Sequence, residues 1–261
     1  MQQRTSDKSR WDDFWTRDRD LSEIYDNDDR ICTETLSRMS IEGLLVLEVG
    51  AATARDSISL SKHGATSIAL DYSREALRLA REAASRREAD ILLVCADAEA
   101  LPFRNACIDM VFHQGVLEHF RNPEPLISEN ARVLRTGGTI LVDVPQTFHI
   151  YTPFKKLLIA CNKWFAGWET QFTTGQLTSI LCRHGMVTTG VYGRFFSPSL
   201  AYRIFRELMM KLGFRLPLRP VLFPPVHRLR STVRKAIEGS AMGPCLGCIV
   251  GVFACKQDCA P

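Results

Sequence analysis

Leu44 to Asp56 reads LLVLEVGAATARD, and the rest of the chain is organised around it. Leu44 to Val49 is short, apolar and β-branched, which predicts a buried strand rather than a helix. Gly50 then supplies a sharp turn with close backbone approach. Ala51, Ala52, Thr53 and Ala54 keep the loop slim. A helical pattern opens near Thr53, with Ile58, Leu60 and the aliphatic part of Lys62 as its apolar positions, and ends near Gly64. A strand, a glycine turn and a helix N-terminus together make a place where a nucleotide-like ligand lies against backbone N–H groups. Asp71 closes the next apolar run, Thr66 to Leu70, about twenty residues past Gly50. An acid at that spacing accepts hydrogen bonds from ribose hydroxyls.

The loop is not a dinucleotide fingerprint. Close approach to a pyrophosphate needs a second glycine, and that position is Ala52. A nucleoside cofactor without pyrophosphate relaxes the demand, and S-adenosylmethionine is one.

The rhythm continues downstream. Ser73 is placed to cap a helix whose stripe Ala76, Leu77, Ala80, Ala83 and Ala84 has helical period. Ile91 to Cys95 and Ile108 to His113 read as strands, and Glu124 to Leu134 as a helix. Thr136-Gly137-Gly138 reads as a tight turn into a strand over Thr139 to Val144, which Pro145 stops. Thr173 and Gln176 form a capping box for a helix ending near Gly185. Met186 to Tyr192 and Gly247 to Ala254 are the last two strands. Strands alternating with helices imply a parallel sheet with right-handed crossovers.

Two stretches break the pattern. Gln146 to Phe172 carries seven aromatic residues, namely Phe148, Tyr151, Phe154, Trp164, Phe165, Trp168 and Phe172. Arg194 to Glu238 carries ten Lys and Arg against Glu207 and Glu238, a local excess of eight positive charges in a chain of net charge +4. Such asymmetry speaks of a partner rather than of the fold. Its positions Leu200, Ile204 and Leu208 share a helical face, with Arg203, Arg206 and Lys211 off it. That pattern fits either packing on the sheet or docking on an anionic membrane. Near the N-terminus, Trp11, Phe14, Trp15 and Tyr25 predict a helix that packs on the domain and covers its site.

At 261 residues and 46% hydrophobic content the chain suits one α/β domain with additions. It has no run of the ~18 apolar residues that a spanning helix needs. The opening residues MQQRTSDKSRWDD have no apolar run, so no secretory signal is expected. The nine cysteines read as buried or free thiols in a reducing cytoplasm. Cys245 and Cys248 have zinc-ligand spacing, but Cys248 and Cys255 bracket the last strand. Seven strand residues would hold them ~23 Å apart and facing opposite ways, so no metal site is expected.

By Asp97 the chain resembles the class I S-adenosylmethionine-dependent methyltransferases, of the branch that includes ubiquinone and menaquinone methyltransferases. The stretches that carry the resemblance are LLVLEVGAATARD, SIALDYSREALRLAR, CADAEALPFRNACIDMVFHQGVLEHF and ENARVLRTGGTILVDVP, spanning Leu44 to Pro145. It implies a Rossmann-like α/β fold with a seven-stranded sheet, the last strand antiparallel, helices on both faces and the basic helical insert before that strand. The chain then divides into an N-terminal helical lid (1–40), a cofactor-binding core (41–194), the insert (195–244), and the final strand and tail (245–261).

The resemblance also implies roles. Gly50 and Ala52 carry the methionine end, and Glu48 steers its ammonium. Asp71 with Tyr72 takes the ribose, and Asp97 with the Ala98 backbone reads the adenine. His113 and Gln114 border the transferred methyl. The chain departs from the family where loop glycines become Ala52 and Ala54, and where Pro-Gly-Gly becomes Thr136-Gly137-Gly138. Candidates for a catalytic base are His119 and His149, since histidine titrates near neutrality. His113, Glu118 and Tyr151 are further candidates. Glu118 and His119 equally suit structural roles, holding a turn and capping a helix. HQGVLEH stands where base N-methyltransferases of this fold often place Asn/Asp-Pro-Pro-aromatic, so nucleic acid is not the expected acceptor. The aromatics after the fifth strand suit a small-molecule or lipid-like one. A binding module of this fold without catalysis, and an RNA-directed enzyme, stay open as alternatives.

Overall fold

The computed structural model describes residues 8–16, 29–149, 151–164, 166–196, 198–218, 220 and 224–257. Tyr25, Phe165, Arg219 and Cys259 lie outside the described residues, as do the side chains of Tyr151, Leu200 and Lys211. In chain order the elements are α1 (Lys8–Thr16), α2 (Arg30–Leu36), β1 (Leu45–Val49), α3 (Arg55–Ser61), β2 (Thr66–Asp71), α4 (Arg74–Arg86) and β3 (Ile91–Cys95). Then come β4 (Ile108–Gln114), a 3-10 turn (Leu117–His119), α5 (Glu124–Val133), β5 (Leu134–Pro145), α6 (Tyr151–Ala160), α7 (Thr174–Arg183) and β6 (Met186–Arg194). The chain closes with α8 (Leu200–Lys211), α9 (Pro224–Glu238), α10 (Gly243–Leu246) and β7 (Ile249–Lys256).

The seven strands form one sheet in the order β3-β2-β1-β4-β5-β7-β6. The β1–β2, β1–β4, β2–β3 and β4–β5 pairs are parallel. β7 runs antiparallel to both β5 and β6, and the basic insert lies in the β6–β7 connection. This is the Rossmann-like methyltransferase sheet, with its last strand reversed.

Side-chain alternation along the strands explains why both faces are covered. Leu47, Val49, Val111, Val142 and Val252 face one way and pack with Leu126 and Ile127 of α5 and Leu177 and Leu181 of α7. Val46, Met110, Phe112, Leu141 and Phe253 face the other way, against Ile31 and Cys32 of α2 and Leu60 of α3. The caps anticipated in the sequence form. The Ser73 hydroxyl accepts the Ala76 N–H, and the Thr173–Gln176 box closes in both directions. The turn expected at Thr136-Gly137-Gly138 is instead a bulge within a longer β5, where the register on β4 shifts between Ile108 and Met110. Gly138 permits it, because a Cβ there would stand 2.9 Å from the Asp109 carbonyl oxygen.

One buried polar network ties α2 to the sheet. Arg30 donates Nε and Nη2 to the two oxygens of Asp143 on β5, at 2.9 and 2.8 Å. The Tyr192 hydroxyl of β6 donates to Oδ2 of the same carboxylate at 2.6 Å. Burial would lower the Arg30 pKa, but the Asp143 charge and hydrogen bonds hold it above the usual value. Removing one partner of such a pair strands the other in the apolar interior. Asp143→Ala is therefore expected to lower stability by about 3–5 kcal/mol, and Tyr192→Phe by about 1 kcal/mol. Urea denaturation checks both, and a loss below about 0.5 kcal/mol in Asp143→Ala would show that this pair is not a buried anchor.

Candidate cofactor site

A parallel sheet brings the carboxyl ends of consecutive strands to one edge, and ligands lie there at the point where strand order reverses. Here that point is between β1 and β4. A cavity of about 660 Å³ opens at this edge. Gly50 and Ala52 line it after β1, Leu70, Asp71 and Tyr72 at the end of β2, and Cys95 to Glu99 after β3. Gln114, Gly115, Val116, His119 and Phe120 line it after β4, and Trp11 and Trp15 of α1 face it from the remaining side.

The loop after β1 is wound tightly. Gly50 has φ +69°, and a Cβ there would approach the Val116 side chain to 2.5 Å. Ala52 and Ala54 also adopt left-handed backbone, at φ +50° and +52°. A methyl in that region is strained, so the alanines keep the glycine geometry at some cost. Asp71 holds the loop in place. Its Oδ2 accepts the Ala52 N–H and its Oδ1 accepts the Ser73 N–H, both at 2.9 Å. Burial raises its pKa, against the lowering by the Ser73, Ala52 and Tyr72 backbone groups. Those three backbone groups leave about one of the roughly four lone-pair sites of the carboxylate for a ligand hydroxyl. Asp97 accepts the Glu99 N–H at 2.9 Å, which turns the chain across the cavity. Burial, and then the Asp97 charge, push the Glu99 carboxyl up.

His119 lines the cavity from the 3-10 turn after β4. Its Nδ1 lies 3.2 Å from the Trp168 carbonyl oxygen, which can only accept, so Nδ1 donates there when it carries the proton. Trp11 meets the ring edge-on at 4.9 Å between centroids. Burial lowers the His119 pKa, while the Glu169 charge and the Trp168 and Gly115 carbonyls oppose that fall.

The structure thus brings together Gly50, Ala52, Asp71, Tyr72, Asp97, Ala98, Gln114 and His119. Of the expected cofactor-binding residues and the two leading base candidates, three are not on the cavity wall. Glu48 turns into the N-terminus of α3, where Oε2 accepts the N–H and hydroxyl of Ser57. His113 is fully buried in β4, with neither ring nitrogen hydrogen-bonded, and burial alone lowers its pKa to about 3. His149 stands with its Nε2 3.1 Å from the Cys248 Sγ, where β7 begins. Trp11 and Trp15 were legible as aromatics with a possible covering role, whereas Val116 and Phe120 had no distinguishing signal. Among the described residues no three His, Cys, Asp or Glu side chains gather as a metal site.

Residues 47–142 match the family model described as "Methyltransferase domain". The chain is 37% identical over 93 residues to a biotin biosynthesis bifunctional protein of Cellvibrio japonicus, covering 36% of this chain and 18% of the relative. It is 32% identical over 103 residues to a demethylmenaquinone methyltransferase of Renibacterium salmoninarum, covering 40% and 42%. The chain thus spans less than half the length of these curated relatives. Among solved structures, magnesium protoporphyrin IX methyltransferase of Synechocystis with bound S-adenosylhomocysteine superposes with a TM-score of 0.59. It is 14% identical, over 95% of this chain and 93% of that one, a likeness of fold. Residues 47–142 are thus similar to a methyltransferase domain, and the chain has the fold of the class I S-adenosylmethionine-dependent methyltransferases.

Glu48 generates a pH prediction. Burial, and then the Asp56 charge, raise its pKa to about 8, against the hydrogen bonds from Ser57 and the charge of Arg55. A carboxyl whose folded pKa lies above its unfolded value favours the fold at low pH and costs stability as pH rises through the interval. Glu48→Gln keeps the neutral form at every pH. Its stability relative to the parent is expected to climb from pH 5 towards pH 8 and then level off, as read by thermal melts. A constant difference across that range would show that Glu48 is ionised in the fold.

Proposed function

We propose that this chain transfers the methyl group of S-adenosylmethionine to a small-molecule or lipid-like acceptor. The observation that carries the reading is the cavity at the carboxyl ends of β1 to β4, walled by Gly50, Asp71, Asp97 and His119. Its residues fit the cofactor. Asp71 keeps acceptor capacity for a ribose hydroxyl, Asp97 and the Ala98 backbone stand where an adenine edge is read, and the Gly50–Ala52 loop leaves room for the methionine end. When bound, S-adenosylmethionine supplies an electrophilic methyl on a sulfonium. The chain's own work is to align the acceptor, shut out water behind Trp11 and Trp15, and take up a proton. His119 is the base in this reading, through Nε2, because Nδ1 is committed to the Trp168 carbonyl. His149 has no role in it, since it lies beside Cys248.

Asp71→Ala removes the ribose acceptors and is expected to weaken S-adenosylmethionine binding by about 1–3 kcal/mol. Isothermal calorimetry measures it, and unchanged affinity would place the ribose elsewhere. Release of S-adenosylhomocysteine in the presence of candidate acceptors separates a transferase from a binding module.

The insert supports a membrane-borne source for the acceptor. Ile204, Phe205 and Leu208 of α8 are 52%, 51% and 56% exposed, and Leu212, Phe214, Leu229 and Val233 are exposed as well. Arg215, Arg228, Arg230 and Lys235 are also exposed. Arg206 is not part of this surface, because it is buried and its Nε donates to the Leu216 carbonyl at 2.8 Å. No described helix is long and apolar enough to cross a membrane. An exposed apolar surface amid basic residues fits the interface of an anionic bilayer. Each basic residue near such a surface contributes about 1 kcal/mol, screened by salt. The full chain should therefore sediment with vesicles rich in anionic lipid at low salt, and less at moderate salt. Equal binding to neutral vesicles, or none to anionic ones, would make the acceptor a soluble molecule.

A further inference from the structure

Helix α6 is amphipathic the wrong way round for a helix that meets only water. Its inner face carries Thr152, Lys155 and Ile159, all buried. Glu169 holds the Lys155 ammonium there, at 2.6 Å between Nζ and Oε2, and the Trp164 Nε1–H donates to the other Glu169 oxygen at 2.8 Å. The outer face carries Phe154 and Leu157, which are 49% and 59% exposed. Three residues apart, they stand on one side of the helix. Cys161, exposed, continues that side just past the helix end, where its N–H donates to the Leu157 carbonyl at 2.9 Å. Phe148, ahead of the helix, is exposed as well. Folding in water alone favours the reverse, with apolar residues inward and lysine outward. Scattered exposed apolar residues need no explanation, but a row of them along one helix face marks a contact.

Charge identifies that contact. From Thr147 to Trp168 the chain has three lysines and no acid. Glu169 neutralises Lys155, while Lys156 and Lys163 stand exposed. Topology gives the direction. β5 ends at Pro145 and β6 at Arg194, and both residues pair with Ile249 at the start of β7. Helix α6 and the basic insert therefore leave the sheet from adjoining strand ends. Those ends lie on the carboxyl edge of the sheet, where the cavity opens. The two roots also touch, since the His149 ring meets Phe196 edge-on at 6.5 Å between centroids.

We propose that α6 is a second membrane-contact element, through Phe154 and Leu157, and that with the insert it sets the carboxyl edge of the sheet against an anionic bilayer. An apolar row with cations beside it fits the boundary between acyl chains and anionic headgroups. The cavity then opens towards the lipid, and an acceptor dissolved in the bilayer reaches it without passing through bulk water. The inference rests on the membrane-borne source proposed above and extends it from the insert to a whole edge of the molecule.

The test is a footprint of the full chain with iodoacetamide, read thiol by thiol by peptide mass spectrometry. Cys161 reports on the α6 face, and Cys107, exposed just ahead of β4, reports on the opposite edge of the sheet. Phosphatidylglycerol vesicles at low salt should slow alkylation of Cys161 by about threefold or more and leave Cys107 unchanged, because lipid shields a thiol from the reagent. Phosphatidylcholine vesicles should slow neither. The double variant Phe154→Ser with Leu157→Ser should bind phosphatidylglycerol vesicles about tenfold more weakly in sedimentation. Its S-adenosylmethionine affinity should match the parent's, which verifies the fold. If the parent sediments with those vesicles but Cys161 reacts at its vesicle-free rate, or the double variant binds as the parent does, the insert docks alone and the α6 contact is wrong. Failure of the parent to sediment would overturn the membrane-borne source together with this contact. Slowing of Cys161 that follows protein concentration without vesicles would assign the face to a second copy of the chain and overturn the proposal. Cofactor binding by the parent tests the methyl-transfer reading separately from all of these.

Discussion

The Asp71 carboxylate accepts one backbone N–H from the loop after β1 and another from the start of α4. Those two bonds join the ends of neighbouring parallel strands into one surface, and the cavity depends on it. The Ala51 N–H adds a bond to the Leu70 carbonyl at 2.9 Å. The loop they hold is wound through left-handed backbone at Gly50, Ala52 and Ala54. Such a loop persists only if its surroundings over-determine it. Asp71 on one side and Val116 on the other do so, and the same packing leaves the Gly50 backbone open to a ligand.

Buried acids recur around this surface with different consequences. Glu48 is satisfied by Ser57 and braces α3. Asp143 is satisfied by Arg30 and Tyr192 and anchors α2 against β5 and β6. Asp71 is largely committed to the backbone, with acceptor capacity to spare. Glu118 retains an oxygen with no partner. Burial raises the pKa of Glu48, Asp71 and Glu118 alike, so what separates brace from binding group is how many of their lone pairs the fold has already filled.

The insert between β6 and β7 is firmly attached at its base. Glu238, at the end of α9, accepts from Arg194, Arg234 and the Phe195 N–H. Gly193 lies so close to Gly243 that a Cβ would fall 1.9 Å from the Gly243 carbonyl oxygen. Sequence periodicity left two options for the α8 face, packing on the sheet or facing outward, and Ile204 and Leu208 face outward. A tight base with an exposed apolar crest is an arrangement for contact with something outside the chain.

The sequence by itself determined the strand–turn–helix order, the Gly50 turn, the Ser73 cap, the Thr173–Gln176 box and the position of Asp71 at the end of β2. These features depend on residues a few positions apart, through strand alternation, helical period and turn chemistry. Tertiary structure decided the rest. It turned Glu48 into α3, sealed His113 inside the sheet, drew His149 to Cys248 and buried Arg206 under Leu216. It also brought Trp11 to His119, and Lys155 and Glu169 to the back of Glu118. The physical reason is that a side chain's direction follows from its own strand or helix, but its burial, its charge and its partners come from segments far away in the chain, which local sequence does not encode.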